Sequence, residues 1–143
     1  MNYTIYDNST GQIVSNGTIR DDMAEKSLRG QNWIDGTYSG KDYYIESGQP
    51  VRIPLEPVSP FKKYTFNYGN KMWEVDLVAT ERLIRQMRQS ALSVVDKMNP
   101  IWYAELSEEK KQELRDYRQA WLDITDVESF PIITTVPTRP SWL

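Results

Sequence analysis

The chain has 143 residues, of which 26% are charged and 39% hydrophobic, and a formal net charge of −3. That is room for one domain or two very small ones, and the balance excludes both a disordered polyampholyte and a membrane protein. It contains no cysteine and no histidine, which removes disulfides, thiolate metal sites, cysteine nucleophiles, Ser-His-Asp relays and histidine-ligated zinc.

The opening YTIYDNSTGQIVSNGTI predicts a β-hairpin. Tyr3 and Ile5 alternate with Thr4 and Tyr6, a turn cluster spans Asp7 to Gly11, and Ile13, Val14 and Ile19 continue the strand pattern. Asp21 and Asp22 are placed to cap a short helix, MAEKSLRG, with Gly30 at its stop. Trp33, Ile34, Tyr38, Tyr43, Tyr44, Ile45, Val51 and Ile53 follow as β-formers, divided by turns at Asp35-Gly36, Ser39-Gly40 and Ser47-Gly48. These residues read as a small α+β unit of about four or five short strands.

Pro54, Pro57 and Pro60 then fall at regular spacing in PLEPVSPF. Proline fixes φ and pushes its predecessor toward extended geometry, so this is a stiff connector and the best domain boundary. The same residues also carry a PxxP spacing.

Beyond it, KKYTFNYGNKMWEVDL predicts a second hairpin that turns at Tyr68-Gly69-Asn70. From about Val78 the period becomes helical. Leu77, Ile84, Met87, Ala91, Val94 and Met98 form one apolar stripe, with Arg82, Arg85, Arg88 and Gln89 on the other faces. The stripe lasts about three heptads, which is marginal for a coiled coil and is explained equally well by a helix docked on a hairpin or partner. Asn99-Pro100 reads as its end.

Ser107 predicts a second helix start, with Glu108 and Glu109 in the first turn where the helix dipole favours negative charge. Leu114, Tyr117, Trp121 and Ile124 line one face; Lys110, Lys111, Arg115, Asp116 and Arg118 turn outward. At about 16–18 residues this helix is too short to stand alone in water. It needs either the first long helix or a partner protein. The tail from Phe130 is β-prone and broken at Pro131, Pro137 and Pro140, ending near Trp142. Such a segment either tucks against its own domain or extends to another surface.

Charge adds further exclusions. Residues 1–60 carry 5 basic and 8 acidic side chains and residues 61–143 carry 12 of each, so neither half is a nucleic-acid footprint. Glu74, Asp76 and Glu81 cancel much of the field of Arg82, Arg85 and Arg88. The first residues lack the charged and apolar regions of a signal peptide, and no apolar run reaches a membrane-spanning length. EF-hand spacing is absent. The acidic pairs Asp21/Asp22 and Glu108/Glu109 sit at helix starts, where carboxylates cap rather than catalyse. No enzyme activity, cofactor or metal is expected.

Three segments together resemble the bacteriophage tail assembly chaperone and tail-fibre assembly family. The KYTFNYGNKMWEVDL hairpin before an Arg-rich helix looks like the segment preceding that family's helix pair. NPIWYAELSEEKKQELRDYRQAWLDITD is similar to its helix with a YRQAL-like core, matched by Tyr117, Arg118, Gln119, Ala120 and Trp121-Leu122. Phe130-Pro131 and Val136-Pro137-Thr138-Arg139-Pro140 resemble its FP…WPxxP-like tail. The likeness covers roughly residues 62–140; the family often has Trp where this chain has Val136, and a TDW-like link where it has residues 94–102.

The resemblance implies a non-enzymatic protein that docks on a tail, tail-fibre or baseplate component, without nucleic acid or membrane. Residence is expected in the host cytoplasm during assembly, or in the virion tail if the protein is a permanent structural adaptor. Self-association is a further option. The expected architecture is α+β: a β-rich domain at 1–53, a Pro-rich linker at 54–61, and a hairpin, two amphipathic helices and an extended tail at 62–143. Partner binding is expected from Leu114, Tyr117, Trp121, Ile124, Phe130, Pro131, Val136, Pro137, Pro140 and Trp142.

Overall fold

Alternating β-formers and turn residues build the first part of the chain as short antiparallel pairs. In a computed structural model that describes all 143 residues, the protein is mixed α+β, with seven strands and four α-helices. Its residues group into two units. One comprises Met1–Pro57 and Phe66–Glu74, the other Val58–Thr65 and Val75–Leu143. The second hairpin, assigned from the sequence to the C-terminal part, therefore gives its tip to the first unit and its base to the second.

In the first unit, β1 (Asn2–Tyr6) is central, flanked by β2 (Ile13–Thr18) and β3 (Trp33–Asp35). Tyr3 faces Gly17, Thr4 faces Asn16 and Ile5 faces Ser15, and then the register shifts so that Tyr6 faces Ile13. That irregularity lies beside the turn, where extra twist re-aims the chain. Thr4 is fully buried. Its one hydroxyl proton has two acceptors in reach, Asn16 Oδ1 at 2.5 Å and the Gly36 carbonyl at 2.8 Å, and its oxygen accepts from the Tyr38 amide at 3.1 Å, so the hydroxyl is not orphaned.

The β1–β2 turn is organised by Asp7. Its carboxylate accepts from the Ser9 hydroxyl at 2.5 Å and from the Ser9 and Thr10 amides. These bonds, the Ser9 hydroxyl foremost, hold Asp7 below the ordinary aspartate range. A carboxylate depressed in the folded state contributes fully above its unfolded pKa, and that contribution fades as pH falls through the lowered value. Asp7→Asn should therefore flatten the acid limb of a stability–pH curve, and an unchanged limb would rule the turn out as its source.

β4 (Tyr43–Glu46) and β5 (Gln49–Arg52) form the next hairpin. Ser47 and Gly48 both have positive φ, 52° and 73°, as a two-residue type I′ turn requires. The helix expected from Met23 to Gly30 is shorter than its sequence suggests. A 3-10 turn at Asp21–Met23 runs into α1 (Ala24–Ser27), and neither aspartate caps it through its side chain. Asp21 instead meets the Met1 α-amino group at 2.8 Å, and Asp22 meets Arg20 at 2.8 Å. Local charge partners outcompete the cap.

β6 (Tyr64–Asn67) and β7 (Met72–Val75) make the second hairpin. Phe66, buried at its tip, lies 6.1 Å from the Tyr44 ring, 5.0 Å from Tyr68 and 5.3 Å from Trp73. Lys71 adds a cation 4.7 Å from the Tyr44 centroid and donates to the Thr10 and Tyr68 carbonyls.

In the second unit Asp76 caps α2 (Leu77–Asp96), accepting from the Ala79 amide at 3.0 Å. Asn99 and Pro100 do not merely end this helix. Asn99 accepts from the Ile101 amide at 2.8 Å and Pro100 opens α3 (Pro100–Glu105), a helix the sequence reading missed. Ser107 caps α4 (Glu108–Asp123) as expected, followed by a 3-10 turn at Ile124–Asp126.

The core of this unit gathers Ile84, Val95, Leu114, Tyr117, Trp121, Ile124 and Ile133. Two residues of the expected α2 stripe lie outside it: Leu77 and Val94 are 55% and 43% exposed, and Val95 is buried instead. The tail forms no strand. Its prolines interrupt the run of N–H donors a ladder needs, and Ile133 anchors it as irregular chain.

Candidate docking surface

The expected partner-binding residues fall into two sets. Leu114, Tyr117, Trp121 and Ile124 are buried against α2 and Ile133, so their apolar face is spent within the unit. Phe130, Val136 and Trp142 are half-buried against the same core, and Pro131, Pro137 and Pro140 are half-buried beside them. The short fourth helix thus finds its surface within its own chain, and so does the tail.

Cations fix this arrangement. Arg88 on α2 donates to the carbonyls of Trp121 at 3.0 Å and Leu122 at 3.4 Å. It thereby covers the end of α4, where unsatisfied carbonyls and the helix dipole favour positive charge. Arg118 meets Asp96 at 2.8 Å, and this bond, then the charge behind it, raises the guanidinium pKa. Arg85 pairs with Glu81 at 2.9 Å and sits 5.4 Å from the Phe130 ring centroid. Trp142 donates its indole N–H to Glu113 at 2.8 Å, with Lys110 5.7 Å from its ring centroid. Both tail aromatics are pinned by groups on the helices.

Exposed apolar side chains occur along the whole chain, among them Val14, Leu55, Val58, Met72 and Val78, and one group of them lies on α3. On α3, Ile101 and Trp102 are 68% and 69% exposed, and Val94 at the end of α2 is also exposed. Scattered apolar side chains are ordinary on a surface, but a contiguous patch with an exposed Trp marks an interaction site. Trp102 borders a groove of about 470 Å³, with Val94, Met98, Leu106, Trp142 and Leu143 on its walls. A second groove of about 350 Å³ shares Met98 and is lined by Tyr103 and Leu114 together with Arg115 and Arg118.

No group of three or more acidic side chains lies close enough to hold a metal ion. Glu108, one of the paired acids at a helix start, sits 3.4 Å from Lys111. No helix is long and apolar enough to cross a membrane. Compared with protein-family models, with curated proteins and with solved structures, the chain matches none of them.

Asn99-Pro100 reads in the sequence as a stop, and the structure makes it the start of α3 instead. The signal was present. An N-cap residue followed by proline is also how a helix begins, and IWY after it places two large apolar side chains within one short turn.

Proposed function

We propose that this is a non-enzymatic bacteriophage tail protein that docks on a tail, tail-fibre or baseplate component and supports its assembly. The family resemblance of residues 62–140 supplies the biological setting. The observation that carries a docking role is the exposed Trp102 on the wall of an apolar groove, with Ile101 exposed next to it in the chain. Covering apolar surface on a maturing partner needs shape and hydrophobic area, not a catalytic constellation.

A second reading is a permanent structural subunit acting as an adaptor. It is favoured by the β-rich unit of residues 1–57 with 66–74, which has its own packed cluster around Tyr44 and Phe66. An adaptor joining two components uses a second folded module.

Quantitative mass spectrometry of purified virions separates the two. The assembly-factor reading expects the protein to be absent from particles while co-purifying with a fibre or tail protein from infected lysates. Stoichiometric copies in the particle would replace it with the adaptor. Absence from both would overturn the phage assignment.

A further inference from the structure

We propose that residues 54–60 are a linear recognition segment, held by a groove between aromatic rings on another protein. This surface is separate from α3, and the inference stands apart from the phage assignment.

The segment repeats every three residues. PLEPVSP runs as proline, apolar, polar, proline, apolar, polar, proline. A polyproline II helix turns once every three residues and makes no hydrogen bonds within itself. In that conformation Pro54, Pro57 and Pro60 share one edge, Leu55 and Val58 a second, and Glu56 and Ser59 the third. Two adjoining edges are then apolar and one is polar. Proline fixes its own φ and steers the residue before it away from helix. Only Leu55 and Val58 among residues 53–60 escape both biases.

The structure keeps the segment open. Residues 53–59 are neither helix nor strand, the peptide bonds before all three prolines are trans, and no residue there has positive φ. Fastenings lie only at the ends. The Ile53 amide donates to the Asp42 carbonyl at 2.8 Å, and the Pro54 carbonyl accepts the Trp73 indole N–H at 2.9 Å. At the other end Ser59 Oγ accepts from the Phe61 amide at 3.3 Å. Between them the amides of Leu55, Glu56 and Val58 have no partner in the chain, and Glu56 forms no ion pair. Leu55 and Val58 are 95% and 98% exposed, the highest values of any large apolar side chain in the protein.

A connector needs stiffness, which the prolines supply, and polar residues would serve it at the positions between. Two nearly bare apolar side chains in register with those prolines call for another reason. An aromatic-lined groove provides one. Flat rings pack on the proline edge and the apolar edge beside it, and a stiff segment loses little entropy on binding. Other modes of peptide recognition fit poorly. The prolines bar the helix that a helix-binding groove takes, and each lacks the N–H that strand addition uses.

The test adds the full chain, with a photo-crosslinking amino acid in place of Glu56, to lysate of the cells that express it naturally. The same group in place of the exposed Glu25 is the control. Capture alone does not count. The adduct should lie on another protein and map beside a groove lined by Trp, Tyr or Phe. A synthetic peptide of residues 52–61 should compete for it. The same peptide with its three prolines changed to alanine should compete about tenfold less well, as the cost of ordering the chain returns. Leu55→Ser with Val58→Ser should remove the adduct and leave the melting temperature unchanged, because neither side chain packs on the fold.

Three results overturn the proposal: no adduct beyond the control, equal competition by the alanine peptide, or an adduct on a surface without aromatic side chains. So does an adduct on a second copy of the chain, which would make the segment an oligomer contact. Each leaves docking through α3 to the virion measurement. Absence of the protein from phage material removes the tail assignment and leaves the adduct standing.

Discussion

Trp121→Ala should cost the helical unit about 3–5 kcal/mol, measured by urea unfolding of the full chain. Trp121 is 4% exposed and lies within the cluster formed by α2, α4 and Ile133. With typical domain stabilities of about 5–15 kcal/mol, such a loss removes a large part of the total. Trp121→Phe should cost far less than the alanine change. The indole Nε1 is buried without a hydrogen-bond partner, and leaving such a donor unpaired costs about 1–3 kcal/mol. Phenylalanine sheds that penalty while keeping much of the ring. If alanine barely changes unfolding but abolishes partner capture, Trp121 faces outward in solution and the described core is wrong.

Gly11→Ala should destabilise the β-rich unit by about 3 kcal/mol or more, combining left-handed strain with a backbone clash. Gly11 has φ of 75°, and a Cβ there would lie 2.1 Å from the Ile45 carbonyl oxygen. The obstacle is backbone, and the Ile45 amide is itself bonded to the Gly11 carbonyl at 2.8 Å, so yielding breaks a hydrogen bond. Gly48→Ala is the internal control. Its φ is 73° but nothing lies within 4 Å of the added carbon, so only the conformational cost of about 1–2 kcal/mol remains. Equal losses from the two substitutions, by denaturant titration, would show that the close approach at Gly11 does not exist.

Local signals in the sequence located most elements well. Strand alternation around Tyr3–Ile5, the Ser47-Gly48 turn and the Ser107 cap each depend on a few adjacent residues, and each appears in the structure. Errors arose where a partner surface decides. At about 100° per residue, Val95 falls about 20° from the phase of Ile84 and Val94 about 80° away. Spacing steps of 3 and 4 admit either valine, and the neighbouring α4 selects Val95. Leu77 shares the phase of Ile84 but is the first residue of α2 and lies outside the core cluster. Phase alone does not bury a side chain.

The docking residues were the least legible. Apolar periodicity on α4 identifies a face that must be covered, and carries no information on whether the cover is another protein or the same chain. Here α2 and the tail cover it. The tail looked β-prone because Ile132, Ile133 and Val136 favour strands, yet prolines on both sides leave no continuous row of donors. Trp102 is illegible for the opposite reason: α3 is only six residues long, too short a window for any period.

The sharing of β6 and β7 between the two units has a consequence for synthesis. Phe66 and Lys71, which complete the cluster around Tyr44, lie after the three-proline connector in chain order. During translation, residues 1–57 therefore emerge without the side chains that seal their own aromatic cluster. The β-rich unit reaches its final packing only once Glu74 has cleared the ribosome, by which point Asp76, the cap residue of α2, is two residues behind. A gene fragment cut at the prolines would strand Tyr44 in water; one carried through Val75 would include every residue that the unit contains.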